Sequence, residues 1–227
     1  MSARLAVPLL FCIALSACQS TDNQLVKAGP TLLNDSLFPS YSLFPVETAE
    51  EIFFLDKDAK FFAEQAVYEK SALQKNVRGL VKAIFDHSDQ GMLYRNGANT
   101  TANTTFNNRA TNCLSLSIMT YALAEHVGLK ATFYEVEIPE YWTRREGYSL
   151  LNGHINLRVQ LPEDPNVVSI GGSWADVDFD PQTLRSHFPR IAVSENKVIA
   201  MFYNNKGADA IVANSYTRAY SYFRAAA

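Results

Sequence analysis

The sequence predicts an α+β protein: a cysteine-bearing central helix packed on an antiparallel sheet, with a helical hairpin at the C-terminus. Three observations carry this. Between Asn112 and Gly128 lie two apolar stripes, Leu114/Ile118/Tyr121/Ala122 and Leu116/Met119/Leu123/Val127. A helix with so little surface left for water belongs in the core. After Gly128, segments rich in aromatic and β-branched residues alternate with Pro and Gly turns, the pattern of strands. Near the end, Tyr203, Gly207, Tyr216, Ala219, Phe223 and Ala226 recur at the offsets of one tetratricopeptide-like helical pair.

At the N-terminus, Arg4 precedes the apolar run Leu5–Leu15 and the small residues Ser16 and Ala17. That is a secretory signal over residues 1–17, too short for a membrane span. Leu15-Ser16-Ala17-Cys18 resembles the lipobox of bacterial lipoproteins. The match implies cleavage before Cys18 and lipidation of its sulfur, with the lipid bilayer as a partner. Gln19 stands where an Asp would resemble an inner-membrane retention signal, so a periplasm-facing place at the outer membrane is expected. An unlipidated secretory signal is the alternative. Residues 18–46 read as a tether, with Leu-Phe-Pro at 37–39 and again at 43–45. The repeat is expected to pack on the domain surface.

Of three cysteines, Cys12 leaves with the signal and Cys18 takes the lipid, so the mature domain keeps only Cys113. No internal disulfide can form in a compartment where disulfides are normal, and a lone thiol there calls for burial or use. A net charge of −3 shows no basic excess for nucleic acid. At 227 residues and 48% hydrophobic, the chain can build one domain with a core plus a small appendage. No apolar run is long enough for a transmembrane helix.

The domain is expected over 47–190. Thr48 with Glu51 fits a capping box opening a short helix through Ile52 and Phe54. One longer helix is expected from about 58 to 86, with Leu73, Val77, Leu80, Val81 and Ile84 as its buried stripe. His87 should lie just past its end as a dipole partner. Residues 96–112 hold six Asn and five Thr and read as an ordered polar loop that delivers the chain to Cys113. Asn112 is a good N-cap and Gly128 a good stop for the central helix. Cys113 in the first turn feels the positive end of the helix dipole, which favours thiolate. Strands follow at 131–138, ended by Pro139, at 154–161, and at 174–179 after a Gly171-Gly172 turn. Residues 139–152 read as a loop carrying Tyr141, Trp142, Arg144 and Arg145. The alternation sets His154 on the face opposite Ile155, Leu157 and Val159.

Cys113 opening a helix, Gly128 ending it, Asn152-Gly-His154 opening a strand and Trp174-Ala-Asp-Val-Asp178 together resemble the bacterial transglutaminase-like (papain-like) superfamily. The nearest likeness is a branch in which the domain precedes tetratricopeptide repeats. Thr105-Phe106, Asn112-Cys113-Leu114-Ser115, Glu135-Val136 and Val177-Asp178-Phe179 carry it, over roughly residues 60–185. The resemblance implies Cys113 as nucleophile, His154 as general base and Asp178 as the residue orienting His154. It implies a transglutaminase-like core and no cofactor. The family's closing Asp-Pro pair stands here at Asp180-Pro181, so Asp176 and Asp180 remain alternatives for the third member. The aromatic that often follows the family's His is replaced by Ile155 and Asn156.

Chemically, a His beside Cys113 would hold a thiolate–imidazolium pair, and a carboxylate on the far nitrogen would fix the tautomer. Backbone N–H groups of the first turn, with Asn107, Asn108 or Trp142, are candidates for the oxyanion hole. His126 and His187 read as structural or surface residues. A Cys/His/Asp metal site lacks a fourth ligand and short spacing, so no metal is expected. At 191–227 the helical pair forms an incomplete repeat turning at Asn214-Ser215, and a single repeat cannot bury its own face. Two functions follow. One is a lipid-anchored periplasmic cysteine hydrolase or acyltransferase acting on amide bonds of a peptide, protein or cell-wall substrate. The other is a non-catalytic scaffold lipoprotein that binds a protein partner through the polar loop and the hairpin.

Overall fold

Helix α5, Cys113–His126, runs through the middle of the structure, and ten of its side chains between Leu114 and Ala124 are buried. The Asn112 side chain caps it by accepting from the Ser115 N–H at 2.9 Å. Gly128 ends it at φ +74°, a conformation that glycine adopts without strain. This is a computed structural model, and it describes residues 33–68, 73–89, 93–95, 97–108, 110–162, 174–179 and 188–227. The chain divides into two units, Met1–Leu33 and Asn34–Ala227. The signal residues 1–17 and the lipidation candidate Cys18 lie outside the described residues.

Before α5 come α1 (Ala49–Phe53), α2 (Lys57–Tyr68), α3 (Leu73–Asp89), strand β1 (Leu93–Tyr94), α4 (Ala102–Asn107) and β2 (Ala110–Thr111). The capping box is present: Glu51 N–H donates to Thr48 Oγ1 at 3.2 Å, and Thr48 N–H donates to Glu51 Oε2 at 2.8 Å. The single helix expected over 58–86 is two helices packed on each other. In the sequence, Glu69-Lys70-Ser71 interrupts the apolar stripe at that point. His87 falls within the last turn of α3 rather than past it, stacks on Phe106 and bonds its carbonyl through Nε2 at 2.9 Å. Within the stretch expected to be a loop, Ala102–Asn107 form α4, where Thr105 Oγ1 donates to the Thr101 carbonyl.

After α5 come β3 (Lys130–Arg145), β4 (Tyr148–Gln160), β5 (Trp174–Val177) and β6 (Arg190–Val193). They form an antiparallel sheet in the order β5-β4-β3-β6. The fold is α+β, with seven α-helices and this four-stranded sheet among the described residues. Pro139 does not end β3. A register shift between Val136 and Tyr141 absorbs it, and pairing resumes from Tyr141–Asn152 to Arg145–Tyr148. The expected loop 139–152 is therefore a two-stranded ribbon. Its turn is Glu146-Gly147, both at positive φ, the geometry that a tight hairpin requires.

Phe133, Ile155, Leu157, Val159 and Val177 of the sheet meet α5 in one core with Ile52, Leu80 and Ile84 of the preceding helices. Helices α6 (Glu195–Val212) and α7 (Tyr216–Ala226) close the chain, turning at Asn214, φ +57°. Val198 and Phe202 of α6 join the core, and Phe223 of α7 lies against Gly207. Residues from 34 to 47 cover the other side of α7. Phe38 stacks on Tyr220 at 4.5 Å, Tyr220 Oη donates to Asp35, and Tyr222 Oη donates to Glu47. The hairpin thus buries its face on its own chain. Among the described residues no helix is long and apolar enough to cross a membrane.

Candidate active site

The N-terminus of α5 meets β4 where the ribbon begins. Cys113 is a half-buried free thiol in the first helical turn. His154, 5% exposed, lies in β4 and lines the same cleft as Cys113, close enough for the thiol to raise the ring's proton affinity. On its other side, His154 Nε2 donates to both oxygens of Asp178 at 3.0 Å. Asp178 is buried just past the end of β5 and also accepts from Asn156 Nδ2 at 3.2 Å. A carboxylate only accepts, so Nε2 carries a hydrogen and Nδ1 is the nitrogen left for the thiol.

Burial by itself depresses the proton affinity of His154. The hydrogen bond to Asp178, the nearby Cys113 thiol and the Asp178 charge outweigh it and raise the ring to about 10. A ring kept protonated by a buried carboxylate is the partner that a thiolate needs.

Two of the three Asp candidates separate clearly. Asp176 faces Arg158 and Arg190, with Arg158 Nε at 2.8 Å and Arg190 Nη2 at 2.9 Å. Burial pushes its carboxyl up, and the two guanidiniums more than reverse that, leaving it below the usual carboxylate range. Arg158 lies over the Trp174 ring and Arg190 over the Tyr134 ring, so Asp176 belongs to a charged ladder across the sheet. Asp178 alone of the described pair touches His154. Asp180 and His187 lie outside the described residues.

A cleft of about 420 Å³ opens above Cys113 and His154. Tyr141, Thr143 and Asn152 of the ribbon form one wall, and Met201, Asn204 and Asn205 of α6 form the other. The side-chain candidates for an oxyanion hole are not on it. Asn107 Nδ2 is spent on Asp56 Oδ2 and on the Asn103 carbonyl. Neither Asn108 nor Trp142 lines the cleft, and Trp142 is 58% exposed. The first-turn N–H groups of α5 remain, since helix starts leave such donors without intrahelical partners. His126 bonds Glu64 at 2.8 Å, away from the cleft. Among the described residues, no group of His, Cys, Asp and Glu side chains could hold a metal ion.

Three residues at the back of the cleft were not among the expected site residues: Asn99, Arg145 and Asp209. Asn112 Nδ2 donates to Asn99 Oδ1 at 2.6 Å, Asn99 Nδ2 donates to Asp209 Oδ2 at 2.6 Å, and Arg145 Nη2 donates to Asp209 Oδ1. The only prior signal was the Asn/Thr density around Asn99.

The chain matches no protein-family model, no curated protein and no solved structure.

Proposed function

We propose that the protein is a transglutaminase-like cysteine hydrolase or acyltransferase, acting on amide bonds of a peptide, protein or cell-wall substrate through Cys113, His154 and Asp178. One observation carries the reading: a buried imidazole bonded to a buried carboxylate, in the same cleft as a thiol at a helix start. Lone structural cysteines do not need such a partner.

In this mechanism Cys113 Sγ attacks the carbonyl carbon of the amide, and its oxygen gathers charge at the first-turn N–H groups of α5. As the intermediate collapses, the C–N bond breaks and His154 gives its proton to the departing amine, leaving a thioester on Cys113. The now neutral ring takes a proton from water, or from an acceptor amine, as that group attacks the thioester. Water yields an acid, an amine yields a new amide, and either step returns the thiolate–imidazolium pair. Asp178 keeps the ring in its tautomer and stabilises its charge.

Lipid anchoring at Cys18, and with it a periplasm-facing place at the outer membrane, rests on the lipobox-like sequence. Metabolic labelling with a radioactive fatty acid, lost in Cys18→Ser, tests it. For the site, Cys113 is expected to react with iodoacetamide at mildly acidic pH much faster than a free peptide thiol, and His154→Ala is expected to abolish the excess. Equal rates for protein and peptide would leave a scaffold lipoprotein as the better reading.

A further inference from the structure

The amide chain behind Cys113 begins and ends on donors. At one end the Ser115 N–H donates to Asn112 Oδ1, and at the other Arg145 Nη2 donates to Asp209. Each Asn between passes one donor on for each acceptor it offers, because its amide has one oxygen and one nitrogen. With one oxygen and one nitrogen facing each neighbour in turn, a row made only of amides sets donor against donor at one contact unless an oxygen accepts twice. Asp209, an acceptor at both oxygens, removes that conflict. Its two oxygens take Arg145 and Asn99 Nδ2, which turns Asn99 Oδ1 toward Asn112 Nδ2, and that turns Asn112 Oδ1 onto the helix. Asn99 and Asn112 are 7% and 4% exposed, so water offers little help if the order is broken. Gly97 makes room for the arginine, since a Cβ there would stand 2.0 Å from Arg145 Nη1.

We propose that Asp209 of α6 is a positioning residue for the nucleophile: it sets the direction of this hydrogen-bond row and thereby holds the cap that seats Cys113. The C-terminal hairpin is then a working part of the site and not an appendage. This rests on Cys113 being the nucleophile.

The experiment moves the acceptor without removing it. In Asp209→Asn, Arg145 and Ser115 face a row of three amides, and the present order then sets one donor against another. Loss of a cap is worth about fivefold in an equilibrium, so iodoacetamide should label Cys113 about fivefold more slowly and the Ser115 amide should exchange with deuterium correspondingly faster. In Asp209→Asn/Asn99→Asp the acceptor stands at 99, where it takes Asn112 Nδ2 on one side and the amide now at position 209 on the other. Both rates should return to within about twofold of the parent's, a smaller gap than any lost cap leaves. Unchanged rates in the single variant, or a double variant no better than the single, would overturn the proposal. If the single variant does not fold, the double variant decides alone: parental rates support the row's direction as the cause, and a slow or unfolded protein overturns it. A parent whose thiol is no faster than a free peptide would sink the nucleophile reading, while Ser115 exchange would still report on the row.

Discussion

Each half of the Cys113–His154 couple is held by a row of polar groups, and the two rows place their carboxylates differently. On the cysteine side the carboxylate is Asp209, two amides away from the helix it serves. On the histidine side Asp178 touches the ring itself, and Asn156 and Arg190 stand behind it. A charge in contact with a titrating group changes that group's proton affinity, whereas a charge two amides away chiefly decides which way those amides point. The cysteine row should tolerate having its acceptor moved, and the histidine row should not.

The largest effect expected is from Asp178→Asn. The ring loses its adjacent charge, and Cys113 labelling at mildly acidic pH should fall about 10²-fold, the low end of what acid–base partners contribute. Moving the acceptor, as Asp178→Asn/Asn156→Asp, should not restore it, in contrast to the double variant at 99 and 209. Recovery in both pairs would erase the distinction. Next comes Gly207→Ala. A Cβ at 207 would stand 2.6 Å from the Phe223 ring, so the ring or the two helices must shift. Overpacking of this kind costs about 2 kcal/mol, readable by urea denaturation. Because α6 carries Asp209, labelling of Cys113 should slow modestly while the titration of His154, followed by NMR, stays where it was.

The pH dependence of stability isolates the histidine row. The folded ring is raised from an ordinary value of 6.5 to about 10. Between those values the native protein keeps a proton that the unfolded chain has lost. The stabilisation is therefore complete below about 6.5 and drains away as pH rises through about 10. A loss of a few kcal/mol across that window, with an upper bound of about 5 from the shift itself, is expected in the parent, and a much shallower profile in His154→Gln. Asp209→Asn should keep the parental slope.

What was legible in the sequence was local. The central helix announces itself by its stripes, Asn112 and Gly128, and Cys113 opens it, whereas His154, expected to open a strand, lies in the middle of β4. Asp178 was harder, because Asp176 and Asp178 share strand parity. The choice between them comes from register: Arg158 lies opposite Asp176, and β5 stops at Val177. Pro139 concealed the ribbon, since a proline reads as a stop when the bulge that shelters it is unseen. The Glu146-Gly147 pair, flanked by Tyr141-Trp142-Thr143 and Tyr148, was the available hint. Strand β6, four residues long, gave no hint of that strength. The cysteine row had no local mark at all. Asn99 and Asp209 are 110 residues apart, and an Asp on one face of an amphipathic helix looks like any solvated charge.

The smallest effect separates the rows by salt. Arg190 Nη1 reaches Asn156 Oδ1 at 3.5 Å, a long contact, while Nη2 binds Asp176. Asn156 also gives Nδ2 to Asp178, so its direction survives without Arg190. Arg190→Gln should therefore slow Cys113 labelling by no more than about threefold, as expected for a partly exposed charge. The ladder of Arg158, Asp176 and Arg190 is a quarter to a third exposed, within reach of salt screening. The parent's labelling rate should drift slightly between low and high salt, and Arg190→Gln should remove most of that drift. Asp209→Asn should keep it, because its amide row works by direction and not by field. A salt response that vanishes in Asp209→Asn and persists in Arg190→Gln would mean that the two rows divide their labour the other way round.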